Sequence, residues 1–250
     1  MSKPTIYLIS GANRGIGFAL TKLLASRPDT VVFAGTRRPA DSPELTALAA
    51  NSSGRVHVVP LVSADVNSNT AAAETIRKVV GKLDVVIANA GINDKYEGAL
   101  DVEKEDMIRH FDVNVNGSLV LFQATFPLLR ESAAPKFIAV SSGSGSITTA
   151  TQWPGGMYAY GVSKAALNWM VRKLHKDFEQ LIVFPINPGL VKTSISTNAM
   201  EKEPWLKDID MPLITLEESA RGIMEQVDVA TRETYGGKFV DYTGLGKWEW

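Results

Sequence analysis

The chain has 250 residues, 45% hydrophobic and 21% charged, the profile of one ordinary globular domain long enough to bury a sizeable core. Its 26 Lys plus Arg against 27 Asp plus Glu leave a net charge of -1, which argues against nucleic acid or an anionic membrane as main partner. The lack of cysteine excludes disulfides, thiolate metal sites and cysteine nucleophiles, and three scattered histidines (His57, His110, His175) speak against zinc, so no metal is expected. In chain order, Met1-Ser2-Lys3-Pro4 leads into an apolar run too brief for a signal peptide, and no later run approaches the ~18 to 20 residues of a membrane span. The expectation is a soluble cytoplasmic protein. Short β-rich runs then occur at 5–10, 30–35, 56–60, 83–89, 136–142, 181–187 and 238–241, most of them continuously apolar, as in parallel strands buried on both faces. Helical spacing fills the gaps: Ile108, Phe111, Val115, Leu119 and Phe122 predict one buried face, and Leu167, Met170, Val171, Leu174 and Phe178 another. Alternation of this kind predicts a single α/β domain with a doubly wound parallel sheet of about seven strands, helices on both faces. The least regular stretch, 193–212, reads either as a surface loop or as a mobile cover over a ligand.

The first strand ends in Ser10-Gly11-Ala12-Asn13-Arg14-Gly15-Ile16-Gly17, and an amphipathic helix with Leu20, Leu23 and Leu24 follows. Gly11 suits a tight turn, Gly15 lets backbone approach a pyrophosphate, and Gly17 allows close helix–strand packing. The helix N-terminus then offers unpaired N–H groups to phosphate. A plain structural turn would use the same glycines, but their place between strand and helix favours dinucleotide binding. The spacing G-x-x-x-G-x-G resembles the short-chain dehydrogenase/reductase family in its short single-domain form. That resemblance covers essentially the whole chain and implies one Rossmann-like domain over 1–250. It makes Gly11, Asn13, Arg14, Gly15, Ile16 and Gly17 cofactor-binding.

About 20 residues on, an acid would bond the adenosine ribose 2′-OH; the second strand instead ends Thr36-Arg37-Arg38. Arg37 with Arg14 would clamp a 2′-phosphate, which favours NADP(H) over NAD(H); two solvated surface arginines are the alternative. The family pattern also places Asp65-Val66 at the adenine and the backbone of Asn89-Ala90-Gly91 beside the cofactor ribose.

Tyr160-Gly161-Val162-Ser163-Lys164 puts a phenol and an ammonium four residues apart, on one face of a helix. A phenol of pKa about 10 is a sluggish acid–base group at neutral pH, and a neighbouring ammonium is expected to lower that pKa by ~1 to 3. By resemblance, Lys164 also reaches the nicotinamide ribose, and Ser142 holds the substrate carbonyl, with Ser141 and Ser144 as close rivals in a serine-dense segment. Asn114 matches the family asparagine that kinks its helix and holds a water near the lysine; an Asn interrupting a helix for local hydrogen bonding is the bland reading. Asn187-Pro188-Gly189-Leu190-Val191-Lys192-Thr193 resembles the segment that holds the nicotinamide carboxamide, giving Pro188, Gly189, Val191 and Thr193 cofactor roles. Departures from the pattern are modest: Ser10 stands for a usual Thr, and Ala88 for an Asn often found before Asn89.

The segments 155–160 and 236–242 look like sniffer-type carbonyl reductases, a look shared with fungal ketoreductases of the norsolorinic acid type. The leading reading is an NADPH-dependent reductase of a ketone or aldehyde, Tyr160 giving the proton and the substrate bulky, aromatic or polyketide-like. Trp153 and Met157 would form one wall, and Met200, Trp205 and Met211 a facing cover. An NADP(H)-binding redox sensor without turnover and an NAD-dependent alcohol dehydrogenase are the alternatives. A small-molecule carbonyl substrate is the expected partner, and a homodimer or homotetramer stays open.

Overall fold

Along β1 (Thr5–Ser10), Ile6 and Leu8 join one layer of the core while Tyr7 and Ile9 join the other, and none is more than 4% exposed. That is why the strand reads as an unbroken apolar run: both its faces are covered. The computed structural model describes residues 3–209 and 211–250. It continues through β2 (Thr30–Thr36), β3 (Val56–Pro60), β4 (Val85–Ala88), β5 (Lys136–Val140), β6 (Ile182–Asn187), β7 (Leu190–Val191), β8 (Leu213–Ile214) and β9 (Val240–Asp241). The main sheet has seven parallel strands in the order β3-β2-β1-β4-β5-β6-β9.

One face is covered by α1 (Gly15–Ala25), α2 (Pro43–Ala50) and α9 (Leu216–Val229), through Leu20, Leu24, Leu45, Ile223 and Met224. The other is covered by α3 (Val66–Val80), α5 (Gly117–Leu129) and α7 (Tyr158–Asp177), through Ile76, Phe122, Leu128, Leu167 and Val171. This is the doubly wound α/β architecture expected from the alternation. Among the described residues, no helix is long and apolar enough to cross a membrane.

Three local expectations need correction. The face expected from Ile108 to Phe122 is broken: Ile108 and Phe111 are 56% and 42% exposed, whereas Val115 and Phe122 are buried. The cause is a π-helical turn, Asp112–Asn116, between α4 (Lys104–Phe111) and α5; its wider winding rotates the apolar face out of register. Second, the stretch 193–212 is more regular than expected among its described residues. It forms α8 (Ser194–Lys202) and a 3-10 turn, Pro204–Lys207, with α8 started by a reciprocal capping box between Thr193 and Ser196. Asp210, also in that stretch, lies outside the described residues. Third, the last strand pairs only Val240 and Asp241, against Ile186 and Asn187, and the short ribbon of β7 and β8 was not foreseen.

Candidate active site

The strand order reverses between β1 and β4, and the crevice outside the carboxyl ends of such strands is where a doubly wound sheet binds ligands. A groove of about 1000 Å³ lies there. At its floor Gly11 and Gly15 turn the chain with φ +66 and +55, backbone that favours glycine. Gly17 stands behind the groove, where a Cβ would lie 2.3 Å from the Gly11 carbonyl oxygen and 2.5 Å from Asn89 Nδ2. The same Nδ2 donates to the carbonyls of Ser10 (2.9 Å) and Gly11 (3.2 Å). In return Ser10 Oγ accepts from the backbone N–H groups of Asn89 (2.9 Å) and Ala90 (3.0 Å), so the ends of β1 and β4 are stitched together. Ser10 does this with the hydroxyl its usual Thr would supply. No side chain caps the start of α1, and its first N–H groups remain available.

Gly11, Asn13, Arg14, Gly15 and Ile16 border the groove, as do Asn89, Ala90 and Gly91. Arg37 borders it beyond β2; neither Arg14 nor Arg37 forms a salt bridge among the described residues. Arg38 and Asp41 also border this end and pair with each other at 3.3 Å. The assignment of Asp65 and Val66 to the adenine side is a correction. Asp65 caps α3, its Oδ1 accepting from Ser68 N–H at 2.8 Å, Val66 is 60% exposed, and neither lines the groove. Leu61, Val62 and Ser63, just past the end of β3, line it instead. The signal was available: they follow the strand end directly, where the crevice must be.

The chemical groups converge from β5, α7 and the π turn. Ser142 follows β5, and its hydroxyl acts on the Tyr160 phenol, favouring the phenolate. Ser141 is committed elsewhere: it is 2% exposed and donates to Asn168 Oδ1 at 2.6 Å. Ser144 gives its backbone N–H to Ser142 Oγ at 3.2 Å. Lys164, 4% exposed, donates from Nζ to the Val140 carbonyl at 2.8 Å and lies 5.7 Å from the Tyr160 ring centre. Asn114 uses the wide π turn to face away from its own helix. Its Oδ1 accepts from Ile92 N–H (2.8 Å), and its Nδ2 donates to Ile92 O (3.0 Å) and Ser163 Oγ (2.9 Å). Gly91 joins these groups: a Cβ there would lie 3.1 Å from Asn114 Oδ1 and 3.7 Å from Lys164 Nζ.

Burial governs the electrostatics. It pushes the Tyr160 phenol above its ordinary pKa of 10.0, while the Ser142 hydroxyl pulls the other way. The expectation of a phenol depressed by Lys164 is therefore corrected; desolvation wins, and Tyr160 stands protonated at neutral pH. The same desolvation pushes the Lys164 ammonium down to about 8. A neutral phenol beside a hydroxyl is an arrangement that can donate a proton to a bound oxygen.

Pro188, Gly189, Val191 and Thr193 border the groove after β6. The Thr193 hydroxyl also caps α8, accepting from Ser196 N–H at 3.1 Å. At the apolar end, Trp153 and Met157 line the groove, but Met200 and Trp205 do not. Leu206, Met211 and Ala199 occupy the facing wall instead. The 3-10 turn carries Trp205 behind Trp153, ring centres 5.9 Å apart, and its Nε1 donates to Glu203 Oε2 at 2.7 Å. Met157 begins α7 in the left-handed region, φ +57, an uncommon conformation for a side-chain-bearing residue and one that turns the chain into the helix carrying Tyr160.

Residues 5–204 match the short chain dehydrogenase family model. A short chain dehydrogenase of Penicillium aethiopicum, gsfK, is 35% identical over 250 residues, covering 96% of this chain and 98% of that one. The norsolorinic acid ketoreductase of Aspergillus parasiticus is 34% identical, with 98% and 91% covered. Among solved structures, the NADPH-bound carbonyl reductase from chicken fatty liver superposes with a TM-score of 0.85 at 27% identity, with 97% of this chain and 98% of that one covered. The carbonyl reductase Sniffer of D. melanogaster gives 0.84, also at 27% identity and with the same coverage. With matches along nearly its whole length in sequence and fold, this chain belongs to the short-chain dehydrogenase/reductase family of nicotinamide-dependent oxidoreductases.

Proposed function

We propose that this protein is an NADPH-dependent carbonyl reductase acting on a bulky, aromatic or polyketide-like ketone. The observation that carries the reading is the meeting of Ser142, Tyr160 and Lys164 on the wall of the groove that the glycine turn opens. The residues present fit the cofactor. Gly11 and Gly15 take the turn a pyrophosphate needs, and Arg14 and Arg37 are cations at the groove's edge without a protein partner among the described residues. Asn13, Ile16 and Asn89-Ala90-Gly91 would flank the cofactor, and Pro188, Gly189, Val191 and Thr193 its nicotinamide end. When bound, NADPH supplies hydride to the carbonyl carbon.

The remaining steps belong to side chains. The Ser142 hydroxyl donates to the carbonyl oxygen and orients it. The Tyr160 phenol, kept protonated by burial, gives that oxygen its proton. The Lys164 ammonium stabilises the phenolate left behind and offers donors to the cofactor ribose. Asn114, through the carbonyl of Ile92 and the hydroxyl of Ser163, organises the route by which a proton returns.

The substrate class is supported by Trp153, Met157, Leu206 and Met211 around the apolar end, broad and adaptable surfaces suited to a flat ligand. It is also supported by the similarity to fungal ketoreductases. We read α8 and the following 3-10 turn as the substrate cover; hydrogen exchange across 194–207 unaffected by bound ligands would remove that role. For a homodimer or homotetramer, the suited surface is on α4 and α7, where Ile108, Phe111, Val162 and Trp169 stand exposed; light scattering reads the state.

The decisive experiment follows reduced-nicotinamide absorbance with a panel of ketones, quinones and aldehydes. Turnover of aromatic ketones with NADPH is expected. NADPH binding without turnover of any member would favour a redox sensor, turnover with NADH alone would favour an NAD-dependent alcohol dehydrogenase, and turnover of small polar ketones alone would refute the substrate class.

A further inference from the structure

The catalytic serine is held by a network that the mechanism above does not use, centred on a carboxylate in β9. Asp241 is fully buried, and a buried carboxylate is tolerated only when its oxygens are filled. Oδ1 accepts from the Thr243 backbone N–H (3.1 Å) and hydroxyl (2.7 Å), with Lys247 Nζ at 3.7 Å. Oδ2 accepts from Asn187 Nδ2 (2.8 Å) and Trp248 Nε1 (2.7 Å). Because a carboxylate only accepts, it engages the NH₂ side of the Asn187 amide and leaves the amide oxygen for another donor. That donor is the backbone N–H of Gly143, 3.0 Å away and next in chain to Ser142.

A second contact reaches the same residue. Trp248 lies so close to Gly143 that a Cβ on the glycine would sit 2.3 Å from the indole ring, so only glycine fits. The ring stacks on Phe239 (centres 6.0 Å apart) and meets the groove-lining Trp153 edge-on at 6.1 Å. The segment around it is anchored as well. The Glu249 carbonyl accepts from Ser146 Oγ (2.7 Å), the Trp250 carbonyl accepts from Thr148 N–H (3.0 Å) and Oγ1 (2.8 Å), and Arg172 covers the Trp250 ring at 4.8 Å. Residues far along the chain thus brace the turn from Gly143 to Thr148.

We propose that Trp248 and Asp241 are positioning residues for the Ser142 hydroxyl, one by the indole face against Gly143 and the other through Asn187 to the Gly143 N–H. The inference rests on the reading of Ser142 as the hydroxyl that orients the carbonyl. Neither residue borders the groove. Their effect is geometric, and a displacement of about 1 Å in a catalytic group can cost ~100-fold in rate.

The test measures kcat, KM, NADPH dissociation constant and melting temperature for Trp248→Ala, Trp248→Phe, Asp241→Asn, Ser142→Ala and the Trp248→Ala/Ser142→Ala pair. Trp248→Ala should lower kcat ~10- to 100-fold and leave NADPH affinity within about 2-fold. Trp248→Phe, which restores a ring against Gly143, should recover most of that loss. Asp241→Asn should also lower kcat, because an amide turns an NH₂ group toward donors. In the double variant, loss of the indole should add nothing to loss of the hydroxyl it positions, so the pair should match Ser142→Ala alone. Multiplying effects in the pair, or a Trp248→Ala enzyme with a lower melting temperature and unchanged kcat, would overturn the proposal while leaving the role of Ser142 intact. A fully active Ser142→Ala enzyme would overturn the reading of Ser142 and the inference with it. If Trp248→Ala does not fold, Asp241→Asn takes its place in the cycle with Ser142→Ala, with the same two outcomes.

Discussion

Lys164→Met removes an ammonium that is 4% exposed and held by burial at a pKa of about 8, against 10.5 for an unburied lysine. Below pH 8 both folded and unfolded chains carry the proton, and the folded one bears the full cost of burying charge. A gap of about 2.5 in pKa, at about 1.4 kcal/mol per unit, sets that cost on the order of 3 kcal/mol. Between about pH 8 and 10.5 the unfolded chain still binds the proton and the folded chain has released it, so wild-type stability rises with pH through that window. The Met variant has no such proton. It also loses the 2.8 Å bond to the Val140 carbonyl, a penalty of about 1 kcal/mol that shifts its curve without tilting it. Urea unfolding of both proteins without nucleotide, from pH 7 to 10, should therefore show wild type gaining on the order of 2 to 3 kcal/mol relative to the variant. Tyr160, whose burial raises its pKa, tilts both proteins the same way above pH 10 and cancels in the difference. The catalytic counterpart has the opposite sign. About nine-tenths of Lys164 is charged at pH 7 and about one-tenth at pH 9, so wild-type kcat/KM for NADPH should fall ~10-fold between them. Parallel stability curves together with a kcat/KM that stays flat to pH 10 would refute the account of Lys164 as a desolvated, functional ammonium.

Tyr160→Phe keeps the ring and deletes the proton; kcat should drop ~100-fold or more with NADPH affinity nearly unchanged, and retained turnover would remove Tyr160 from the mechanism. Ser142→Ala should lower kcat clearly, whereas Ser141→Ala should chiefly reduce stability by about 1 kcal/mol, because its hydroxyl is spent on Asn168; the reverse order moves the role to Ser141. Arg37→Asp should weaken NADPH by ~1.5 to 3 kcal/mol, about 10- to 150-fold, and shift preference toward NADH; equal wild-type dissociation constants for the two cofactors at low salt would sink the 2′-phosphate contact.

What could be read from sequence was whatever depends on near neighbours. Strand runs, the glycine turn and the Tyr160–Lys164 spacing are local patterns, and the fold keeps each of them, several strands ending a few residues short of their runs. The failures share a different cause. Asp65 looked like a ligand carboxylate because it follows a strand, but three residues on, Ser68 offers a backbone N–H, and capping α3 wins locally. The face through Ile108 and Phe111 assumed 3.6 residues per turn and could not anticipate a π turn set by Asn114 bonding Ile92. The stretch 193–212 hid its regularity because a capping box of Thr193 with Ser196 lacks the usual Glu signal. Met200 and Trp205 were assigned by type and proximity, yet which side of a turn faces a groove is set by tertiary partners such as Glu203.

Strand alternation bears on the choice among the serines. Phe137 and Ala139 join the layer shared with Leu167 and Val171 of α7, while Ile138 and Val140 join the opposite layer. Continuing that alternation one step past β5 sends the Ser141 hydroxyl toward α7, where it meets Asn168, and turns Ser142 the other way, although Ser141, Ser142 and Ser144 all border the groove. The helix answers with its own period. Tyr160, Lys164 and Asn168 fall on one stripe four residues apart and engage Ser142, the Val140 carbonyl, and Ser141 with the Gly145 carbonyl. One stripe of α7 is therefore docked on the end of β5 at three successive turns. The third of these contacts, through Asn168, falls at the same four-residue spacing as Tyr160 and Lys164, so that spacing extends one turn further into the structure that holds them.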